Sequence, residues 1–297
     1  MTGGSPGAVI VVSSHVARGT VGNRAVVFAL ETLGFSVWAV PTVIMPWHAG
    51  RGDAASIVPD EGDFAALMKS LEGAPWLGEV RAVLSGFLAG PTQAEAVAGL
   101  VEAVKARSPG ARYLCDPVMG DRDASGEGGL YVAEATAEAI RDRLVPLADI
   151  LTPNRFELEW LSGAPLPDLR SVTEAALHAG PRTVLVTSAP AAHPGNTGNF
   201  LLTPAEALFA EHRAITEKVP HGPGDLTSAL LLARFLDGQP APKALQSATA
   251  SVFEILARTT GRGADELTLS ADAASLSRPM SMVQLRHLPH PGENRRA

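Results

Sequence analysis

The chain has 297 residues and a formal charge of −7, and 46% of it is hydrophobic, enough for a sizeable core. The acidic balance excludes a nucleic-acid footprint or an anionic membrane surface as the main partner and makes small molecules the expected ligands. A single cysteine, Cys115, cannot form an internal disulfide, no Cys/His group has zinc spacing, and no basic leader or run of about 18 apolar residues occurs, so a cytoplasmic protein without a membrane span is expected.

Short apolar runs rich in β-branched residues alternate with helical patterns along the chain. "AVIVVSS" (8–14), "SVWAV" (36–40), "VRAVLSG" (80–86), "RYLCDPV" (112–118), "ADILTP" (148–153) and "RTVLVTS" (182–188) read as buried strands. Between them "GNRAVVFALETLG", "GDFAALMKSL", "PTQAEAVAGLVEAVKARS", "VAEATAEAIRDRLV" and "NRFELEWLSG" read as helices. "NTGNFLLTPAEALFAEHRAI" (196–215) reads as two antiparallel edge strands, and helices follow at 225–237 and 241–258. Periodicity is lost after about residue 285, so 286–297 is expected to fray. This βαβ rhythm predicts an α/β fold with three α/β/α layers around a mostly parallel sheet, in one domain over 1–285.

In such a sheet, ligands bind beyond the carboxyl ends of the strands. The polar residues there are Ser13 and Ser14, Ser85, Asp116, Thr152 with Asn154, and Thr187 with Ser188. Each alone is ordinary turn chemistry, but their recurrence at one edge points to a ligand site. Glu157, three residues after Asn154 in "NRFE", also fits a helix capping box. "GDRDASGEGGLYV" (120–132) has the composition of a mobile surface loop, and its place directly after Asp116 suits a lid. "HGPGDLTSALLLARF" (221–235) places Gly222 and Gly224 before Asp225 at the start of a helix. Asp225 either caps that helix or serves as a base beside an anion held by the first-turn N–H groups.

Taken in order, "SSHVARGTVGNRAVVFALETLGFSVWAVPTV", "YLCDPVMGDRDASGEGGLYV", "LADILTPNRFELEWLSG", "VLVTS" and "GPGDLTSALLLA" resemble the pyridoxal kinases of the ribokinase-like superfamily, from about residue 8 to about 275. The resemblance implies a ribokinase-like fold and transfer of the γ-phosphoryl group of ATP to the 5′-hydroxyl of pyridoxal, with pyridoxine and pyridoxamine as further candidate acceptors. It assigns Asp225 as base and the N–H groups around Gly222 and Gly224 to the transferring phosphoryl group. Asp116 and Glu157 are assigned to Mg2+, and Thr152 and Thr187, with the same two carboxylates, to the ATP phosphates and K+ or another monovalent cation. Ser188, beside Thr187, joins the nucleotide site, and Asp121 and Tyr131 lie on the lid near it. Ser14, Val21, His48 and Phe87 form the acceptor pocket. A homodimer is implied as well.

Three positions depart from the family pattern. Ala49 stands where threonine is usual, Phe87 where tyrosine is common, and Pro223 where a residue able to donate a backbone N–H is expected. The first two bear on which vitamer is preferred, the third on rate. Two other readings stay open: a kinase for a hydroxymethylpyrimidine, which would share the ATP half, and a non-catalytic pyridoxal-phosphate carrier, for which a retained base has no use.

Overall fold

In the first strand, β1 (Ala8–Val16), Ile10 and Val12 pack into one apolar cluster while Val9 and Val11 pack into another. Alternation along a strand sends successive side chains to opposite faces, so an uninterrupted apolar run means that both faces are covered. The computed structural model describes residues 7–122 and 126–290. After β1 come α1 (Asn23–Thr32), β2 (Ser36–Met45), α2 (Glu61–Glu72), β3 (Val80–Ser85), α3 (Pro91–Arg107) and β4 (Arg112–Cys115). A hairpin of β5 (Gly120–Arg122) and β6 (Gly128–Leu130) precedes α4 (Glu134–Ala139), β7 (Ile150–Leu151), α5 (Arg155–Ser162), α6 (Leu169–His178) and β8 (Thr183–Pro190). The chain ends with β9 (Asn196–Leu202), β10 (Ala207–Arg213), α7 (Pro223–Leu236), α8 (Ala241–Gly261), α9 (Ala273–Ser277) and β11 (Gln284–Leu288).

Nine strands form one sheet in the order β11-β10-β9-β8-β7-β4-β3-β1-β2. The block from β2 to β8 is parallel, and β9, β10 and β11 are antiparallel. Phe64 and Met68 of α2, Val97 and Val101 of α3, Leu158 of α5 and Val172 of α6 cover one face. Val26 and Leu30 of α1, Leu230 of α7, Ile255 of α8 and Leu276 of α9 cover the other. Each fully buried aliphatic side chain stabilises the fold by about 1.5–3 kcal/mol. The three-layer α/β/α architecture is thus as the sequence predicts. Strand order reverses between β1 and β3, and the carboxyl ends of the parallel strands meet at that edge, where open α/β sheets bind ligands.

Several local readings change. Strand β2 runs on through Pro41 to Met45, and α6 forms where no helix is expected, opened by a capping box in which Asp168 accepts the Ser171 N–H at 2.8 Å. The segment expected as a mobile loop holds the β5–β6 hairpin, with residues 123–125 outside the described residues. Arg122 pairs with Glu159, Asn154 Nδ2 donates to the Gly120 carbonyl at 2.8 Å, and the Tyr131 N–H to the Met119 carbonyl at 3.0 Å. Fraying does not begin at 286. Gln284–Leu288 pairs with β10, and Leu285 and Leu288 pack against the two different apolar clusters, so β11 rather than β10 is the edge strand. The remainder of the expected tail, 291–297, lies outside the described residues.

Candidate active site

The carboxyl edge of the sheet and the start of α7 enclose a cavity of about 1060 Å3. Single small-molecule pockets run from about 300 to 1,000 Å3, so this one has room for a nucleotide and a second, smaller molecule. Most candidate residues line it: Ser14, Val21, His48 and Phe87; Asp116, Asp121, Tyr131, Thr152, Asn154 and Glu157; Thr187 and Ser188; and Gly222, Gly224 and Asp225. Ser13 and Ser85 do not; both are buried beneath it, the Ser13 hydroxyl accepting the Phe87 N–H and the Ser85 hydroxyl bonded to that of Tyr113.

Asp116 leaves the end of β4 into the centre of this cavity wall. The Ser228 hydroxyl, on the second turn of α7, donates to Asp116 Oδ2 at 2.8 Å, and Thr152 Oγ1 lies 2.8 Å from Ser228 Oγ. A hydroxyl has one proton to give, so Thr152 is the donor to Ser228. Burial, and next the nearby Asp225 carboxylate, push the Asp116 carboxyl up to about 8, against the Ser228 hydrogen bond. Asp225 is itself raised to about 6 by burial, opposed by a hydrogen bond from the backbone N–H of Gly22. A carboxyl group near 6 is matched to accepting a proton at neutral pH.

Gly222 caps α7 with φ of 102°, and a Cβ there would meet the Thr20 carbonyl oxygen at 2.2 Å, so the loop and the β1–α1 connection close on each other only with glycine. Pro223 occupies the first helical turn, where its missing N–H breaks no helical hydrogen bond. First-turn N–H groups have no intrahelical partner, which leaves those of Gly224 and Asp225 to face an anion.

Glu157 carries the cap that its spacing suggests. Its Oε2 accepts the Asn154 N–H at 2.7 Å, its Oε1 the Met119 N–H at 3.0 Å, and its own N–H donates to Asn154 Oδ1 at 2.8 Å. Burial first, and Asp116 second, hold its carboxyl well above the usual carboxylate range. Both of its oxygens are therefore already engaged by backbone, which sets it apart from Asp116 as a direct ligand. Among the described residues, no three His, Cys, Asp or Glu side chains are grouped to hold a metal ion.

At the part of the cavity lined by Ser14, His48 and Phe87, Phe87 is fixed by its backbone: its N–H donates to Ser13 Oγ at 3.2 Å and its carbonyl accepts from Thr42 Oγ1 at 2.7 Å. His48 opens a short turn at Ala49–Arg51. Arg51 pairs with Asp265 at 2.9 Å and Glu266 at 2.8 Å, and Arg18 pairs with the same two carboxylates at 2.9 and 3.3 Å. These four charges join the loop after β1, the His48 turn and the loop after α8.

Sequence reasoning missed other lining residues. His221, Lys218 and Val219 come from the approach to α7, Asn199 from β9, and Thr249 and Phe253 from α8. Ser188 was found by its position, but its backbone state was not: φ is 53° at an irregularity in β8 between Val186 and Ala189, a conformation rare for a residue with a Cβ.

The sequence and the fold both have counterparts among known proteins. Residues 77–269 match the model of a family described as phosphomethylpyrimidine kinase. A pyridoxal kinase of Rubrobacter xylanophilus is 37% identical over 285 residues, covering 94% of this chain and 97% of the relative. One from Granulibacter bethesdensis is 38% identical over 272 residues, covering 89% and 94%. The structure of a Leishmania donovani pyridoxal kinase in complex with ADP and pyridoxamine superposes with a TM-score of 0.87 at 29% identity, covering 95% of this chain and 99% of the other.

The Asp116 environment makes a stability prediction. A carboxyl group whose folded-state pKa is raised, here from 3.8 to about 8, favours the fold most when protonated, and that contribution is lost as pH rises between the two values. Asp116→Asn should therefore raise the melting temperature of the ligand-free protein at about pH 8, by roughly 2–4 °C per kcal/mol relieved, and make little difference near pH 4. Thermal melts across pH check this; equal melting temperatures at pH 8 would show that the charge is not held in a strained, desolvated state.

Proposed function

The chain belongs to the pyridoxal kinases, and on that premise we propose how its cavity divides between ATP and a B6 vitamer. The enzyme is a kinase, and the reading that follows is transfer of the γ-phosphoryl group to the 5′-hydroxyl of pyridoxal, giving pyridoxal 5′-phosphate and ADP. What carries it is the placement of Asp225. It lies in the first turn of α7, beside N–H groups without helical partners, and in the same cavity as Ser14, His48 and Phe87. Asp225 takes the proton of the acceptor hydroxyl, whose oxygen forms a bond to the γ-phosphorus as the bond to the ADP oxygen breaks. The Gly224 and Asp225 N–H groups meet charge on the transferring group; positioning and charge neutralisation of this kind make up most of phosphoryl-transfer catalysis.

Thr187, Ser188, Asp121 and Tyr131, with Gly222 and Gly224, are assigned to the nucleotide, and Ser14, Val21, His48 and Phe87 to the vitamer. Asp116, Thr152 and, through water, Glu157 would hold Mg2+, with Thr187 contributing to a site for K+ or another monovalent cation. The donors fit: all are oxygens, and two neighbouring carboxyl groups are opposed only by hydroxyl and backbone donors. A cation held there would neutralise phosphate charge. Ile44 near the end of β2, Ile57 bridged to it, and Trp47 and Val58 close by in sequence are exposed large apolar residues at the outer edge of the sheet, which suits a homodimer there. Among the described residues no helix is long and apolar enough to cross a membrane, and a cytoplasmic place is the reading taken.

A pyrimidine-directed kinase is the second reading, because the matched family model carries that description. That match begins at residue 77 and so includes Phe87 but not Ser14, Val21 or His48, and it speaks for the nucleotide half rather than the acceptor. ADP release with ATP, Mg2+ and K+ against pyridoxal, pyridoxine, pyridoxamine and a hydroxymethylpyrimidine decides: pyridoxal should be turned over, a preference for the pyrimidine would overturn the assignment, and no turnover with any acceptor would leave a carrier.

Two substitutions probe the chemistry. Asp225→Asn keeps shape and removes the base, so turnover should fall by about 10²-fold or more with little change in ATP affinity. In the wild type, kcat/KM for pyridoxal should fall on the acid side of about pH 6, as Asp225 becomes protonated, and this limb should vanish in the variant. Pro223→Ala restores a first-turn N–H. If the phosphoryl group uses it, kcat rises while the melting temperature stays level or drops slightly, since proline suits that position for stability. A fall in both would mean that proline shapes the loop.

A further inference from the structure

His221 has no part in the roles derived above, yet it stands immediately before Gly222 and lines the same cavity. Its ring stacks on that of His48, with centroids 3.9 Å apart and planes 25° from parallel. The Gly50 N–H donates to His48 Nδ1 at 3.1 Å, so the neutral His48 ring carries its proton on Nε2 and is fixed in orientation. A Cβ at residue 50 would lie 3.0 Å from His48 Nδ1 and 3.1 Å from His221 Nε2; the absence of a side chain there gives the pair its room. Among the described residues neither ring nitrogen of His221 has a hydrogen-bond partner.

The rest of the acceptor wall is poor in polar atoms. Val21, Ala49 and Phe87 bring none in their side chains, which leaves Ser14, His48 and His221 to read a substrate's substituents. Burial lowers the pKa of both imidazoles; at His48 the neighbouring His221 and then Arg51 lower it further, and at His221 Arg51 lowers it while Glu266 and Asp121 oppose. A neutral imidazole offers one donor and one acceptor.

We propose that His221 is a specificity-determining residue of the acceptor site, whose imidazole, braced by His48, hydrogen-bonds a polar ring substituent of a flat heteroaromatic alcohol. This rests on the pyridoxal kinase reading. Because His221 is joined directly to the Gly222–Asp225 loop, the residue that reads the acceptor ring and the loop that meets the phosphoryl group are set by one short stretch of backbone.

The test is steady-state kinetics of the wild type, His221→Phe and His221→Asn, with a pyridoxal titration in the absence of ATP. Phenylalanine keeps a ring to stack and removes both nitrogens. With it, KM and the directly measured dissociation constant for pyridoxal should both rise about tenfold, the worth of one hydrogen bond, while kcat and the KM for ATP change less than about twofold. Asparagine, with a polar end, should recover part of the loss. An unaltered pyridoxal KM in His221→Phe overturns the proposal, as does a parallel loss in kcat and in both KM values, which would assign His221 to shaping the loop. A wild-type protein that turns over no pyridoxal overturns the functional reading and this proposal with it; normal wild-type turnover with an indifferent variant overturns the proposal alone.

Discussion

Asp116, buried, and Asp225, partly buried, are two carboxyl groups brought close at one place, where the end of β4 meets the start of α7, and much of the surrounding structure is arranged to keep them there. A desolvated carboxylate beside another is unfavourable unless donors compensate. The donors are specific: the Ser228 hydroxyl, steadied by Thr152, on Asp116, and the Gly22 N–H on Asp225. Each comes from a different element, so the site brings together β4, the end of β7, the β1–α1 connection and α7. The apolar layers on both faces hold those elements in register. The site is thus a place where folding free energy is given up for chemistry, and its carboxyl groups are the ones with strongly raised pKa values, as functional sites commonly show.

The strand–helix rhythm was legible because a parallel strand covered on both faces must be apolar at consecutive positions, as at Val9, Ile10, Val11 and Val12. Elements whose stability comes from tertiary contacts were not. Helix α6 has only ten residues and follows a segment with Pro165 and Pro167, and β11 carries Arg286 and His287, so neither announces itself. The site divides in the same way. Residues that close parallel strands, such as Asp116, Thr152 and Thr187, could be found from topology alone, and Gly222, Gly224 and Asp225 from their spacing. Thr249 and Phe253 lie in the interior of α8, where their sequence pattern is that of any packed helix. His221 was hidden because a stacking partner 173 positions away in the chain, His48, leaves no local mark. Glu157 gives a different lesson, since its capping role, equally legible, is the one its hydrogen bonds display.

The charged quartet beside the His48 turn ties Arg18 to Asp265 and Glu266, some 247 positions away, and the loop after β1 gains a further tie from the Thr20 hydroxyl to the Leu267 carbonyl at 3.2 Å. Exposed pairs of this kind add little to stability one by one. Their consequence lies in the order of assembly. Chains are made from the amino terminus, so Ser14 and His48 leave the ribosome well before the carboxylates that secure the turn beside them, which emerge more than two hundred residues later. A nascent chain can lay down the parallel strands as they appear, but the turn at His48 is clasped only after the last of them has been made, and a chain ending before residue 265 contains the sheet's central strands and lacks the clasp.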